Sequence, residues 1–401
     1  MAESAARRDN RIWAGVVLSI AEPKGVSLVG KLRNSMTHEQ SPGSVRWGVL
    51  GAAVIARKFW QAVRASGCSN IAAVASRDPE RAQAYIDQCH LRLPVAELPR
   101  VYSDYQSLIE APEIDAIYVP LPTGLRQSWV IEAARHGKHV LCEKPCAISN
   151  VEMQAMIDAC DRSGVQFMDN VMFMHSTRTE ALRKQLHVEK RIGVVQRVAT
   201  QFSFKGDSSF FQDNIRNQAT MEPWGCLGDL GWYCIRICLL AMNDELPIGV
   251  RGRILQSKAS GSPPTEFSGE LYFSGGRSAS IYCSFINQHQ QWVHVSGTDG
   301  NVWIDDFVLP WFGNRTRIRE RCPSFNESGF DFNYECHGQD HWFDEYGNGH
   351  PTAQEVQLVR KFVALTKKPD AYWPEISRKT QWVMQALWDS AVTNADVNMS
   401  G

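Results

Sequence analysis

From position 45 onward the chain alternates short, largely apolar runs with longer amphipathic stretches. Positions 45–50, 71–75, 115–119, 139–142 and 165–168 read as strands. Between them lie helical patterns over 56–66, from Pro79, over 128–136, and over 149–163 with Ser149 as its cap. Strands apolar on both faces need helices on both sides. This half therefore predicts a parallel, doubly wound α/β sheet with its ligand site at the carboxyl ends of the strands.

Beyond about Asn170 the period changes. Positions 194–204, 267–273, 278–285, 292–297 and 302–308 alternate as longer strands. Gly275-Gly276 and Asp299-Gly300 supply hairpin turns between neighbours. Helices are expected at about 177–187, 228–241, 352–366 and 377–391. A mainly antiparallel sheet with helices follows from this pattern. Positions 311–349 hold Gly, Asn, Arg and aromatics without a clear period, and read as a long loop that is either functional or poorly ordered. No internal repeat is present. The expected layout is a leader (1–43), a dinucleotide-binding domain (44–170) and a substrate-binding and oligomerisation domain (171–401).

The leader carries Arg7, Arg8 and Arg11 before a short apolar run, 14–21, in the outline of a signal peptide. Ser19 interrupts that run, and no small-x-small cleavage site follows. Glu3, Asp9 and Glu22 are too acidic for a transit peptide. Met36 is a credible alternative start, so the leader is expected to be disordered or dispensable.

A chain of 401 residues accommodates roughly two domains of about 100–200 residues. Hydrophobic content of 44% and charged content of 21% are those of an ordinary soluble protein. A net charge of -1 offers no footprint for nucleic acid or an anionic membrane. No run reaches the ~18 apolar residues of a spanning helix. The 11 cysteines are scattered, without a CxxC pair, and several lie in apolar runs. They read as reduced, structural thiols of a cytoplasmic protein. His337, His341 and His350 lack paired ligand spacing, so no metal is expected.

Gly51-x-Ala53-x-x-Ala56 follows the first strand and opens a helix, the context of a dinucleotide fingerprint. Gly51 permits the tight turn, and backbone N–H groups around Ala53, Val54 and Ile55 receive the pyrophosphate. Ala53 departs from the usual glycine, and the plain alternative is an ordinary strand–helix turn. The second strand ends in Ser76-Arg77, where an NAD enzyme usually carries an acid. A hydroxyl and a guanidinium suit a 2′-phosphate, so NADP(H) is expected over NAD(H). The bland alternative is a solvated arginine ahead of Asp78-Pro79.

The fourth strand ends in Glu143-Lys144-Pro145, which aims Lys144 into the cofactor crevice. Asp229 and Tyr233 lie four residues apart, on one helical face. Reducing a carbonyl needs hydride on carbon and a proton on the developing alkoxide. A tyrosine, with an ordinary pKa of about 10, serves better beside an ammonium that stabilises its phenolate. Lys144 also suits a developing oxyanion, and Asp229 suits orienting lysine or substrate hydroxyls. The competing reading makes Asp229 a helix cap and Tyr233 a core aromatic. His175, just past the fifth strand, is a candidate substrate contact or a structural residue. Asp169 and the aromatics Trp224 and Trp232 are open in the same way.

Lys138-His139-Val140-Leu141-Cys142-Glu143-Lys144-Pro145 resembles the signature of the glucose–fructose oxidoreductase, inositol dehydrogenase and rhizopine-catabolism family. Val49-Leu50-Gly51 with Ile55-Ala56, Val74-Ala75-Ser76-Arg77, Tyr118-Val119-Pro120 and Gly228-Asp229-Leu230-Gly231 match as well. The resemblance implies a Rossmann domain followed by an open-faced α/β domain. It also implies a lysine at Lys144 touching nicotinamide and substrate, with cofactor contacts at Pro120, Leu121, Thr123 and Glu143. Many members have histidine at the Tyr233 position; tyrosine resembles the glucose–fructose oxidoreductase and dihydrodiol dehydrogenase branches. Pro122-Thr123-Gly124-Leu125-Arg126 departs from the family's asparagine and histidine. Tyr372-Trp373-Pro374 with Ile376-Ser377-Arg378-Lys379-Thr380 resembles a plant branch.

The function expected is an NADP(H)-dependent oxidoreductase acting on a small molecule, a secondary alcohol or ketone of a sugar, polyol or cyclic diol. One alternative is a reductase of plant specialised metabolism acting on a non-sugar carbonyl, imine or enone. Another, of a different class, is a non-catalytic NADP(H)-binding sensor or scaffold. Exposed sheet edges and faces favour a homodimer or homotetramer.

Overall fold

The apolar runs of the N-terminal half form β1 (Val45–Leu50), β2 (Ser69–Ala75), β3 (Arg100–Tyr102), β4 (Ala116–Val119), β5 (His139–Cys142) and β6 (Phe167–Asp169). They pair in the order β3-β2-β1-β4-β5-β6, every pair parallel. The computed structural model describes residues 44–213, 219–259, 261–311, 315–344 and 353–399. The expected leader and His350 lie outside the described residues. The sheet's order reverses between β1 and β4, which opens a crevice at their carboxyl ends. β3 escaped the sequence reading because it has three residues, with Arg100 exposed and Val101 and Tyr102 only half-buried.

Helix Ala56–Ser66 buries Phe59 and Trp60 on this sheet. Phe59 stacks on Tyr118 at 4.0 Å and meets Trp47 edge-on at 5.0 Å. Helix Ala353–Lys367 returns to the same layer: Phe362 packs on Trp47 at 4.8 Å and Glu355 pairs with Lys58 at 2.9 Å. Part of the expected 171–401 half therefore lies on the nucleotide half. Residues 41–401 form one unit.

The second sheet holds β7 (Val195–Lys205), β8 (Gly249–Ser257), β9 (Pro264–Tyr272), β10 (Ser278–Ser284), β11 (Ile286–Gly297), β12 (Asn301–Ile304), β13 (Arg315–Ser328), β14 (Asp331–Asp344) and β15 (Val397–Asn398). Its order is β14-β13-β12-β11-β7-β10-β9-β8-β15, antiparallel except where β10 runs alongside β7. Burial alternates along β9 and β10, so one face packs inward and the other stays open. Gly275 and Gly276 take φ of +69° and +75° between β9 and β10, as a tight hairpin turn requires. Helix Trp232–Ala241 is buried along its whole length.

Two expectations need correction. The 311–349 segment contains a long hairpin, β13 with β14. Its alternation is carried by Arg315, Arg317, Arg319 and Arg321, so an apolar period does not reveal it. The last long helix starts at Tyr372, not 377. Pro374 falls in its first turn, where a missing N–H costs nothing. Among the described residues no helix is long and apolar enough to cross a membrane.

Candidate active site

β1 runs into Gly51, whose φ of +90° turns its N–H onto the Ala75 carbonyl at 2.7 Å. A Cβ at Gly51 would stand 3.3 Å from the Leu121 side chain and 3.4 Å from the Tyr105 hydroxyl. The left-handed conformation demands glycine there, and a Cβ would also crowd Leu121 slightly. The helix that follows has no side-chain cap. The N–H groups of Ala53, Val54 and Ile55 donate to no acceptor among the described residues, and the Val54 and Ile55 side chains are exposed. An uncapped helix start of this kind attracts phosphate through its N–H groups and the helix dipole.

At the end of β2, Ser76 is buried and its hydroxyl accepts from the Asp78 N–H at 3.3 Å, while Arg77 is exposed. Burial pushes the Tyr105 hydroxyl up, and Arg77 and Arg81 facing it pull it back. A hydroxyl, two guanidiniums and a phenol thus gather beside the Gly51 turn. Arg81 was missed in the sequence, although its place four residues past Arg77 was available as a signal. Together the glycine cradle, the free N–H groups and this cationic edge fit a dinucleotide carrying an extra phosphate.

The end of β4 is built differently from the expectation. Pro120 and Leu121 are buried beside the turn. Thr123, expected at the cofactor, is fully buried, and its N–H and hydroxyl both donate to the Glu222 carboxylate, at 3.0 and 2.6 Å. Its polar groups are occupied, so it holds the loop in place. Arg126 is buried too, and its guanidinium donates to the carbonyls of Leu121 and Glu143, each at 2.7 Å, and to that of Pro145. The residue that looked anomalous in the sequence is a clamp on the ends of β4 and β5. Glu222 had no sequence signal, since it lies about a hundred positions from its partner.

At the end of β5 the buried Glu143 carboxylate accepts from the Tyr118 hydroxyl at 2.6 Å and from Asn170 Nδ2 at 2.5 Å. The carboxylate and burial drive the Tyr118 hydroxyl well above its ordinary range, burial first. Lys144 follows, joined to Pro145 by a cis peptide. Its ammonium donates to the Asp229 carboxylate Oδ1 and to the Asp229 carbonyl, both at 2.7 Å. It also lies 4.6 Å from the centre of the Tyr233 ring. The two ionic side chains are only 10% and 13% exposed. Residues some ninety positions apart in the chain therefore meet at one point.

Asp229 belongs to a π-helical turn, Leu227–Gly231, that leads into helix Trp232–Ala241. Gly228 makes the approach possible. A Cβ there would sit 2.6 Å from Trp224 Cβ and 3.1 Å from Pro145 Cγ. Tyr233 is flanked by Phe202 at 5.6 Å and Phe173 at 6.2 Å, with its hydroxyl 3.8 Å from Met172 Sδ. One turn further on, Arg236 donates to Asp169 Oδ2 at 2.6 Å and to Thr380 Oγ1 at 2.7 Å, while Trp232 donates to Asp169 at 3.0 Å. Asp169 is thereby an interior anchor that fixes the Tyr233 helix to the end of β6.

His175 does not join this group. Its ring stacks on Trp373 at 4.4 Å, and its Nε2 is buried with no hydrogen-bond partner among the described residues. Burial, with Lys361 and Arg236 facing it, pushes its pKa down to about 3. The substrate contact expected of it is replaced by a packing role between the 172–175 turn and helix Tyr372–Thr393.

The profile described as "Oxidoreductase family, NAD-binding Rossmann fold" matches residues 45–171, and the GFO/IDH/MocA C-terminal domain matches 181–303. The chain belongs to the GFO/IDH/MocA oxidoreductase family. A relative within reach is D-xylose 1-dehydrogenase (NADP(+)) 2 of Haloferax volcanii, 34% identical over 64% of this chain and 74% of that protein. Trans-1,2-dihydrobenzene-1,2-diol dehydrogenase of Mus musculus is 27% identical over 67% and 76%. Among solved structures, a 3-ketoreductase from Actinomadura kijaniata in complex with NADP and TDP-benzene shares the fold. Its TM-score is 0.73 at 23% identity, covering 86% of this chain and 98% of that one. The GFO/IDH/MocA fold accounts for the parallel six-stranded sheet and for the mostly antiparallel one beside it. The enzyme class, oxidoreductase, comes with the family.

Proposed function

We propose that this oxidoreductase uses NADP(H) to interconvert a secondary alcohol and its ketone on a sugar, polyol or cyclic diol. The observation that carries the reading is the Lys144 ammonium, 2.7 Å from Asp229 and 4.6 Å from the Tyr233 ring, at the carboxyl end of β5. Named relatives act on D-xylose, on a dihydrobenzene diol and on scyllo-inositol, and two of those names specify NADP(+). Residues 44–170 bind the dinucleotide and 171–401 supply the substrate wall, although helix Ala353–Lys367 packs on the first part.

Gly51 and the N–H groups of Ala53, Val54 and Ile55 hold the pyrophosphate. Ser76 and Arg77, with Arg81 behind them, hold the 2′-phosphate. Pro120, Leu121 and Glu143 shape the wall of the cofactor crevice. When bound, the cofactor supplies or accepts the hydride. Tyr233 donates a proton to the carbonyl oxygen during reduction and takes it back in the reverse direction. Lys144 stabilises negative charge on the substrate oxygen and on the tyrosine oxygen. Asp229 aims Lys144 and accepts from a neighbouring substrate hydroxyl. All eleven cysteines are free thiols, eight of them buried, which supports a reducing, cytoplasmic setting. The open face of the second sheet supports association into a homodimer or larger.

A fluorescence titration with NADPH, followed by turnover on a panel of sugars, inositols and cyclic ketones, tests the reading. Turnover of at least one member is expected. Tight NADPH binding with no turnover across the panel would point to a cofactor-binding sensor.

A further inference from the structure

The segment that leads into the Asp229 turn is tied to the strand ends of the first sheet at Met221, Glu222 and Trp224. The Met221 carbonyl accepts from the Gly124 N–H at 3.1 Å. The Glu222 carboxylate accepts from the Thr123 N–H at 3.0 Å and from its hydroxyl at 2.6 Å. Trp224 Nε1 donates to the Ala147 carbonyl at 3.0 Å. Ala147 follows Pro145 by two positions, and the Thr123 hydroxyl lies 3.3 Å from the Pro145 carbonyl. The ties therefore close around Lys144-Pro145.

Glu222 is the charged member of this set. Its carboxylate takes both polar groups of one residue, the shorter contact in the range of charge-assisted hydrogen bonds. Thr123 is fully buried, so losing that partner would strand a desolvated N–H and hydroxyl. There is little room for the loop to drift, because a Cβ on Gly124 would stand 2.7 Å from the Thr220 carbonyl. On the other side a hydrogen-bonded turn leads from Glu222 toward Asp229. Gly225 donates to the Glu222 carbonyl at 3.3 Å, and Leu227 and Gly228 donate to the Trp224 carbonyl at 3.1 and 3.3 Å. Asp229 then receives the Lys144 ammonium at 2.7 Å.

We propose that Glu222 is a positioning residue for the reaction. By holding Thr123 it fixes where Asp229 presents its carboxylate to Lys144, and so where the ammonium stands beside Tyr233. It acts from the second half of the chain on the loop at the end of β4. The proposal rests on the roles given to Lys144 and Tyr233 above. A displacement of about 1 Å at a catalytic group costs on the order of 100-fold in rate, which sets the size of effect to look for.

The accessibility of Lys144 in the full chain tests this without a substrate. Wild type, Glu222→Ala and Glu222→Gln are pulsed with acetic anhydride, and acetylation of each lysine is read by mass spectrometry. Lys138 is the internal control, since its buried ammonium is held by the Ala111 and Ile114 carbonyls at 2.8 and 2.7 Å. Glu222→Ala should label Lys144 about tenfold faster and leave Lys138 unchanged. Glu222→Gln offers a carbonyl to the Thr123 N–H and an amide N–H to its hydroxyl, so it should label as wild type does. Equal Lys144 labelling in all three proteins would overturn the proposal. Lys138 rising in step with Lys144 would assign Glu222 to general stability and overturn it as well. If Glu222→Ala does not fold, Thr123→Val takes its place with the same expectations. On a substrate that is turned over, Glu222→Ala should lower kcat by about 10–100-fold with NADPH affinity nearly unchanged, and add little in a Lys144→Ala background. Losses that multiply in that background would rule out action through Lys144. Full turnover by Lys144→Ala would instead sink the reaction proposed above and leave the labelling result standing.

Discussion

Ser76 and Arg77 stand where β2 ends, beside the Gly51 turn, after which the N–H groups of Ala53, Val54 and Ile55 donate to no acceptor among the described residues. Among the described residues Arg77 forms no ion pair, and Arg81 adds a second positive charge facing the same phenol. A charge-assisted contact to a phosphate contributes roughly 1.5–3 kcal/mol, on the order of tenfold to a hundredfold in affinity. Arg77→Asp should therefore weaken NADPH by that factor while leaving NADH nearly unchanged, as read by fluorescence titration. Equal affinity of the wild type for both cofactors would contradict the assignment. His175 gives a second test at this scale. Its folded pKa, about 3, lies below the ordinary value of about 6.5. Above the ordinary value both states are neutral and the full stability is present. As pH falls from there toward 3, the unfolded chain takes up a proton that the folded one refuses, and stability is lost. His175→Phe keeps a ring on Trp373 and removes that proton. Between pH 7 and pH 4 the variant should lose less stability than wild type by on the order of a few kcal/mol, measured by urea unfolding. An identical loss in both proteins would show that His175 is not the titrating group.

At the scale of elements, the catalytic geometry proposed above depends on how the Tyr233 helix is moored. Asp169, at the end of β6, receives Arg236 and Trp232 in a site closed to water. Removing one partner of a buried ion pair typically costs about 3–5 kcal/mol, because the other charge stays buried. Asp169→Ala should lower stability by that amount in chemical denaturation, and a loss below ~1 kcal/mol would mean the pair is dispensable. Five of the six strands of the first sheet were legible because largely apolar runs leave few alternatives, and so was the Gly51 turn; β3, short and half-exposed, was not. Lys144, Asp229 and Tyr233 could be picked out from a strand end and a four-residue spacing. Their meeting could not, since it depends on Gly228 letting a π-helical turn press against Pro145. Thr123, Arg126 and Glu222 were misjudged or missed because their roles come from carbonyls and carboxylates that are remote in the chain. The β13–β14 hairpin hid behind arginines, as its period lies in charge and not in hydrophobicity.

Across the whole molecule, the two sheets divide the labour. The parallel sheet supplies the proposed cofactor turn and Lys144 from its strand ends. The helix lying on the second sheet brings Tyr233, and the π-turn ahead of it brings Asp229, to the same point. Cofactor affinity should be set mainly by the first sheet, and proton transfer by the junction. Residues that act as a unit are not additive: general acid–base catalysis is typically worth about 10²–10⁴-fold, and removing either member forfeits most of it. The measurement that tests this most directly is a double-mutant cycle on kcat, with NADPH binding followed in parallel. Lys144→Ala and Tyr233→Phe should each lower kcat by about 10²–10⁴-fold while NADPH affinity changes little, and the double variant should be scarcely worse than the poorer single one. Full activity in Tyr233→Phe, or losses that multiply in the double variant, would contradict a shared proton-transfer unit of Lys144 and Tyr233.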